Sequence, residues 1–372
     1  MSRAVSISPL AARCFAVRAT GLGGALASTL AAIQHLGYVQ IDPLNICGRM
    51  HDLILRNRVP GYRPGDLTRT MHGDDVRTAA EQRTAFEHHL PGTNILAAFP
   101  ADAWPHFHDA MTRRARRHSG WSGRLTPAER RLAPQLLNEI QARGPLGSED
   151  FGRSGRSRAA VWGAATVVKN TLQKLFFHGE LLIAGRSQGR RRYDLPERAL
   201  PARILRASRP SAEETALWLA RLKLRQRRLA VLKRNELELI RDQVQAVAVT
   251  GCRELHCLSE DVPLLEACAK APAFGGERVS LLAPLDPLIY DRALTSALWG
   301  FDYTWEAYTP PAKRVRGHYA LPVLRGLELV GHVEPKANRT TGRLEVASRA
   351  VRRGVTTAEA LDELAAWLEL RR

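Results

Sequence analysis

Gln40 and Asp42, separated by one apolar residue, are the pair in this sequence best suited to chemistry. They lie in Val39-Gln40-Ile41-Asp42-Pro43. In an extended chain alternate side chains share a face, so the amide and the carboxylate project together while Val39 and Ile41 pack the other way. Pro43 biases Asp42 toward that extended backbone. Such a pair can hold one water, with the amide fixing its orientation and the carboxylate accepting its proton. Many half-buried strands show the same alternation, so the spacing by itself leaves a purely structural strand open.

Other candidates are weaker. Asp286 and Asp291 around Pro287 read as helix caps and turns rather than a metal pair. Cys252 and Cys257 with His256 between them lack the C-x2-C spacing of a zinc site and have no second pair, so no metal is expected. The five cysteines are few and odd in number, which suits a reducing compartment. No glycine-rich phosphate loop is present, no lysine is marked for a Schiff base, and no cofactor is expected.

The elements that must carry the Gln40–Asp42 pair begin with a helix over 24–36, ended by Gly37, and then the extended run. From Asn45, Ile46, Met50, Leu53 and Ile54 recur on one helical face, with Arg49, Arg56 and Arg58 on the other. An Arg-dense stretch, 112–131, links this module to the next and reads as either a solvated face or a DNA contact. A helix over 129–142, a short one capped by Ser148 and a third from Trp162 to His178 precede two runs that pair as a hairpin around a turn at 185–189. The third helix should bury Val168, Leu172, Leu175 and Phe176 and turn Asn170, Gln173 and Lys174 outward. The hairpin carries Arg190, Arg191 and Arg192. Three helices and a basic hairpin form the winged-helix pattern, in which the third helix reads a groove and the wing grips phosphates. Residues 205–270 read as a further helical module. Beyond 278 come strands at 279–283, 303–308, 318–324, 328–333 and 343–348, punctuated by Pro and Gly, which suggest a small barrel. A final helix starts at the capping pattern Thr356-x-x-Glu359. Loops with Lys313, Arg314 and Arg316, and with Arg339, are either plain solvated turns or DNA contacts.

Charge narrows the partner. Of 372 residues, 55 are Lys or Arg and 37 Asp or Glu, a net charge of +18. That excess concentrates polyanions, of which DNA is the commonest. No apolar run approaches the roughly 20 residues of a membrane span. The first acid is Asp42, yet Ser8-Pro9 followed by Leu10, Cys14 and Phe15 reads as a capped helix start. The N-terminus is therefore expected to be folded and the protein to be cytoplasmic, in a bacterial cell.

Four stretches resemble one known family. They are Leu36-Gly37-Tyr38-Val39-Gln40-Ile41-Asp42-Pro43-Leu44-Asn45-Ile46; Leu282 through Arg292; Tyr308-Thr309-Pro310-Pro311-Ala312-Lys313-Arg314 continuing through Gly317-His318-Tyr319-Ala320-Leu321-Pro322; and Leu329-Val330-Gly331 with Lys336 and Thr341-Gly342. Together they are similar to the AlkZ/YcaQ-type winged-helix DNA glycosylases. The match weakens over 205–275. The resemblance implies an α+β fold of tandem winged-helix domains followed by a small C-terminal β-barrel. Its expected modules are 1–111 with the Gln40-Ile41-Asp42 motif, 112–204, a degenerate 205–275, and 276–372. It implies a monofunctional glycosylase that hydrolyses the N-glycosidic bond of N7-alkylated purines and unhooks interstrand crosslinks, a monomer on double-stranded DNA. The family motif is Gln, an apolar residue, then Gln or Asp; the Asp version goes with relaxed specificity. By that resemblance Asp42 activates water or stabilises the sugar cation, and Gln40 positions the water.

The sequence departs from the family where a His and an acid usually follow a Glu. In Glu87-His88-His89-Leu90-Pro91-Gly92 those two positions are Pro91 and Gly92, so that support is either missing or supplied by His88 or His89, with Glu87 beside them. A non-catalytic winged-helix regulator or damage recogniser is the alternative.

Overall fold

The computed structural model describes residues 4–75, 78–152, 162–187 and 189–372. Two compact units emerge, one from 1–65 with 216–372, the other from 66–215. The expected modules 1–111, 112–204, 205–275 and 276–372 follow one another along the chain, whereas the first of these units is discontinuous.

In the first unit β1 (Val5–Ile7) leads into α1 (Pro9–Ala19). Ser8 caps α1 by accepting the Ala11 N–H at 3.1 Å, with Pro9 in the first turn where its missing N–H costs nothing. Next come α2 (Thr29–Leu36), β2 (Val39–Gln40) and α3 (Met50–Arg56). Gly37, at φ 77°, ends α2 and turns the chain into β2. Helix α2 is shorter than the 24–36 expected, because Ser28 caps it through the Ala31 N–H.

The second unit holds α4 (Asp66–His72), the hairpin β3 (Ala85–His89) and β4 (Leu96–Pro100), α5 (His108–Arg116), α6 (Pro127–Arg143) and α7 (Trp162–His178). A second hairpin, β5 (Leu182–Ser187) and β6 (Arg190–Asp194), precedes the short α8 (Pro196–Ala199) and α9 (Ala202–Leu205). Thr126 and Glu129 form a full capping box at the start of α6. Leu136, Ile140, Leu172, Leu175, Phe176, Ile183 and Tyr193 make one core between α6, α7 and the hairpin, with Val168 only partly buried against it. Between α6 and α7 lies one 3-10 turn, Ser148–Gly152. Residues 153–161, and Gln188 of the expected hairpin turn, lie outside the described residues.

The chain continues with α10 (Ala212–Arg227), α11 (Arg234–Ile240), β7 (Val244–Val249), β8 (Leu255–Leu258) and α12 (Val262–Lys270). Strand β1 pairs in parallel with β7, which pairs antiparallel with β8. The stretch 205–275, whose strands the sequence left unpaired, contains the β7–β8 hairpin, and the chain's first strand joins it. Phe15, Val17, Val247, Leu255, Leu265, Leu282, Leu298 and Leu324 form the core of this unit. The remaining elements are β9 (Val279–Leu281), α13 (Arg292–Trp299), β10 (Leu321–Arg325), β11 (Glu328–Asn338), β12 (Arg343–Val351) and α14 (Ala358–Trp367).

The C-terminal strands correct the expected barrel. They form an open antiparallel sheet, ordered β12-β11-β10-β9. Residues 303–308, expected as a strand, have no strand pairing. Tyr303 donates its hydroxyl to the Ala320 carbonyl at 2.6 Å, and the Glu306 carboxylate accepts the N–H groups of Val315, Arg316 and Gly317. These bonds fix the segment as a loop, so nothing joins β9 to β12. Gly331, at φ 141°, lets β11 approach β12 where a Cβ would lie 2.1 Å from the Ala350 carbonyl oxygen.

Arg58 anchors the first unit. It is fully buried, with Nη1 and Nη2 donating to Asp286 at 2.8 and 2.7 Å and further bonds to the Thr20 and Ile54 carbonyls. Removing one partner strands the other charge in the core, which typically costs about 3–5 kcal/mol. Arg58→Ala should therefore lower unfolding stability by roughly that amount in urea titrations; a loss under about 1 kcal/mol would show the pair to be dispensable.

Candidate active site

Gln40 closes β2, and Asp42 follows in an irregular segment that runs to Leu44. The apolar partner Val39 is buried as expected, at 1% exposure. Ile41 is half-buried, so the strict alternation ends where the strand does. Asp42 is 8% exposed, and its Oδ1 accepts the Leu44 N–H at 2.9 Å. This is an Asx-type turn, which aims the carboxylate by tying it to the backbone two residues on. Burial raises the Asp42 carboxyl above its usual range, and the Leu44 N–H only partly offsets the shift. Beside it, the Gln40 side-chain oxygen is buried and accepts no hydrogen bond.

Two tyrosines, absent from the sequence reading as site residues, share this environment. The phenols of Tyr308 and Tyr319 are both raised, first by burial and then by surrounding charges that include Asp42. Tyr308 is 74% exposed, at the start of the Pro310-Pro311 loop. Tyr319 is fully buried and its hydroxyl has no partner. Its backbone N–H donates to Glu334 at 3.1 Å, which fixes the strand entry that bears the ring. Trp305 packs edge-on against both tyrosines, with centroids at 5.5 and 6.1 Å, and its own indole N–H is unpaired. Only their place within the Tyr308–Pro322 stretch could have marked these aromatics beforehand.

A buried polar group without a partner costs about 1–3 kcal/mol, and native proteins keep few of them. Here two such groups, the Gln40 oxygen and the Tyr319 hydroxyl, accompany a carboxylate with a single hydrogen bond. The arrangement suits a water or a substrate that completes the missing bonds.

Asn45, three residues after Asp42, is the junction with the C-terminal sheet. It bridges to Arg49, and Arg339 at the β11–β12 turn donates to its side-chain oxygen at 2.8 Å and its carbonyl at 3.3 Å. Ala337 also donates its N–H to Ile46 at 2.9 Å. The sheet turn and the segment after Asp42 are therefore held together, although nearly 300 residues separate them.

A family model for DNA glycosylases of the AlkZ-like type matches residues 33–370. The chain belongs to the AlkZ-like DNA glycosylase family. The solved structure of Streptomyces sahachiroi DNA glycosylase AlkZ is also similar, with a TM-score of 0.55 over 98% of this chain and 97% of that one, at 16% identity. At that identity the likeness concerns the fold.

For this AlkZ-like glycosylase, the residues expected to touch DNA divide sharply. Arg58 is spent on Asp286 in the core, which removes it from any surface. Lys174, expected outward, is 1% exposed; its ammonium donates to Glu129 at 2.7 Å and to the Arg124 carbonyl. Burial alone would raise the Glu129 carboxyl, but Lys174 and the Thr126 N–H hold it below its usual range. Gln173 gives its amide to the Trp121 carbonyl at 3.2 Å. Arg56 lies over the Trp367 ring at 5.0 Å, and Arg191 over Phe176 at 5.7 Å. Arg192 pairs with Asp150 and Glu149. Arg314 and Arg316 donate to the Thr309 and Asp302 carbonyls, which stiffens their loop. Lys313 and Arg190 are exposed and make no ion pair among the described residues. Hydrophobic periodicity misplaced Lys174 because its ammonium finds a buried carboxylate, a partner that helical spacing does not reveal.

The possible supporting residues belong to the second unit. Glu87 is buried between His72, at 3.1 Å, and Arg186. Burial pushes its carboxyl up, yet those two partners hold it well below the usual carboxylate range. His88 bonds to the Phe176 carbonyl at 3.1 Å, and burial pushes its imidazole down to about 4. His89 packs on Phe177 with centroids 4.5 Å apart, and burial lowers it further, to about 2. Glu87 and His88 are thus committed to the core of that unit, whereas the His89 ring makes aromatic contacts and keeps an unpaired nitrogen. Among the described residues no three His, Cys, Asp or Glu side chains form a metal-binding group, and no helix is long and apolar enough to cross a membrane.

The raised Asp42 carboxyl has a linkage consequence. Because folding raises its affinity for a proton, it favours the folded state most at low pH and loses that contribution as pH rises through the folded value. Asp42→Asn, which keeps an oxygen for the Leu44 N–H, should be at least as stable as wild type at pH 7, with the advantage shrinking toward pH 3. Thermal unfolding across pH checks this; a variant clearly less stable at pH 7 would contradict it. Separately, Lys313→Ala should weaken duplex binding and flatten the dependence of log affinity on log salt by about one unit. Lys174→Ala should instead destabilise the second unit by about 3–5 kcal/mol. Filter binding and urea unfolding separate the two.

Proposed function

We propose that this DNA glycosylase hydrolyses the N-glycosidic bond of N7-alkylated purines, using Asp42 as the reacting carboxylate and Gln40 as the group that orients water. The observation that carries the reading is the Asp42 carboxylate itself, mostly removed from water and held by one backbone bond, two residues after Gln40, whose side-chain oxygen is buried and unpaired. A water donating one hydrogen to Gln40 and the other to Asp42 would keep a lone pair free to attack the sugar carbon.

An N7-alkylated purine is already cationic and leaves as a neutral base, so no strong general acid is required. Rupture of the bond develops an oxocarbenium-like sugar, and an anionic oxygen in a partly desolvated site stabilises that charge far better than one in water. The unpaired Tyr319 hydroxyl adds a second dipole to the same environment. A crosslinked base cannot be fully extruded from the duplex, so a site with exposed flanks, such as the one beside Tyr308, is compatible with unhooking interstrand crosslinks.

The remaining parts serve duplex binding in this proposal. The α6–α7 helices and the β5–β6 hairpin act as a winged-helix module, with Arg190 at the hairpin free for phosphate. Lys313 and Arg339 contribute from the sheet side. A monomer on duplex of any sequence fits this use, because the excess of basic residues supplies affinity without base readout.

The test is release of N7-methylguanine, and unhooking of a nitrogen-mustard crosslink, from duplex oligonucleotides under single-turnover conditions. Asp42→Asn should lose on the order of 10²–10³-fold in rate while duplex affinity is kept. Gln40→Ala should lose less, about 10²-fold at most, since it removes orientation and not charge. Equal release by wild type and Asp42→Asn would exclude Asp42 as the reacting group. Tight binding with no release by either protein would favour a non-catalytic damage recogniser.

A further inference from the structure

We infer that the second unit carries a separate binding cavity for a nucleoside monophosphate, between α5 and the β3–β4 turn. The cavity has a volume of about 490 Å³ and is lined by residues of that unit alone. All its lining residues belong to the second unit, whereas Gln40 and Asp42 belong to the first.

One wall is cationic. Arg113, Arg114, Arg116 and Arg117 all line the cavity. Asp109 pairs with Arg113 at 3.8 Å and is the one carboxylate in contact with this wall among the described residues. Arg116 and Arg117 have no acidic partner there, and Pro91 and Gly92 at the opposite rim bring no charge. The guanidinium is planar and presents paired donors, which suits the oxygens of a phosphate.

The other wall is aromatic and neutral. Phe177 lines the cavity, and the Arg114 guanidinium lies over its ring at 4.8 Å, held there by the Thr93 carbonyl at 2.6 Å. His89 is 6% exposed, lines the same space, and has a ring nitrogen, Nδ1, that is buried without a partner. Burial and the nearby positive charges keep this imidazole neutral at physiological pH, so one ring nitrogen is a donor and the other an acceptor. Gly92, at φ 78°, has no atom within 4 Å of where a Cβ would stand, which leaves that side of the cavity open.

Size decides the ligand class. A bare phosphate would leave most of the space empty and use neither His89 nor the aromatic wall. Pockets of roughly 300–1,000 Å³ hold ligands of small-molecule size, and a base with one sugar and one phosphate falls in that range. The phosphate would meet Arg116 and Arg117, and the base would lie on the outer face of the Arg114 guanidinium, whose inner face covers the buried Phe177 ring, as stacked bases do on guanidinium planes. The nucleotide has two possible sources with the same chemistry: free in solution, or unpaired within a strand.

The experiment measures calorimetric affinity of the full chain for deoxyguanosine 5′-monophosphate, deoxyguanosine and inorganic phosphate, and for a duplex with or without one bulged guanine. The monophosphate should bind at least tenfold more tightly than either fragment. The double substitution Arg116→Ala with Arg117→Ala, on exposed side chains without an acidic partner among the described residues, should abolish that preference; His89→Asn should weaken monophosphate binding while leaving phosphate unchanged. Tighter binding of the bulged than of the fully paired duplex, lost in the double variant, would assign the cavity to an unpaired nucleotide in a strand. Equal affinity for both duplexes, with the monophosphate preference intact, would assign it to the free nucleotide. Equal affinity for monophosphate and phosphate, or wild-type binding by the double variant, would overturn the inference.

Discussion

A carboxylate withdrawn from water must be compensated, and Asp42 differs from Asp286, Glu87, Glu129 and Glu306 in how little compensation it receives, while Asp194, also raised by burial, has Arg198 and the Leu195 N–H. Asp286 is met by both arms of Arg58, Glu87 by His72 and Arg186, and Glu129 by Lys174 and a backbone N–H. Glu306 accepts three backbone N–H groups. Each of these is saturated and builds structure. Asp42 has the Leu44 N–H alone. Its anionic form is held at a free-energy cost that a transition state with positive charge can relieve.

The saturated acids frame the segment that carries Asp42. Arg58–Asp286 ties the end of α3 to the Pro287 turn, and Glu306 locks the loop that carries Tyr308 and Lys313. Glu334 does the same for the entry to β10, which sets the Tyr319 ring. A rigid frame of this kind lets polar atoms of Gln40 and Tyr319 stay unpaired without the segment collapsing onto them.

The sequence made the motif and much of the helical frame legible. Alternation and Pro43 marked Gln40-Ile41-Asp42 only as one polar pair among many possible, and the family resemblance singled it out; Trp162–His178 followed from helical periodicity closed by Gly179. What escaped was long-range. Strand β1 has three residues, and it forms because β7, some 240 residues away, offers an edge. Residues 303–308 alternate like a strand, but hydrogen bonds from 315–317 hold them as a loop. Positive residues were the hardest to place: Arg58 and Lys174 look like surface cations locally and are core ion pairs because Asp286 and Glu129 reach them. A net charge of +18 shows that the protein favours a polyanion, not which side chains face it.

The measurement closest to the central claim is the pH dependence of single-turnover release of N7-methylguanine from duplex DNA. If the desolvated Asp42 carboxylate is the reacting group, the rate falls on the acid side with a midpoint above the ordinary aspartate value. That limb vanishes in Asp42→Asn along with most of the rate. A rate that stays level through that range in wild type, or an acid limb that persists unchanged in Asp42→Asn, would contradict it.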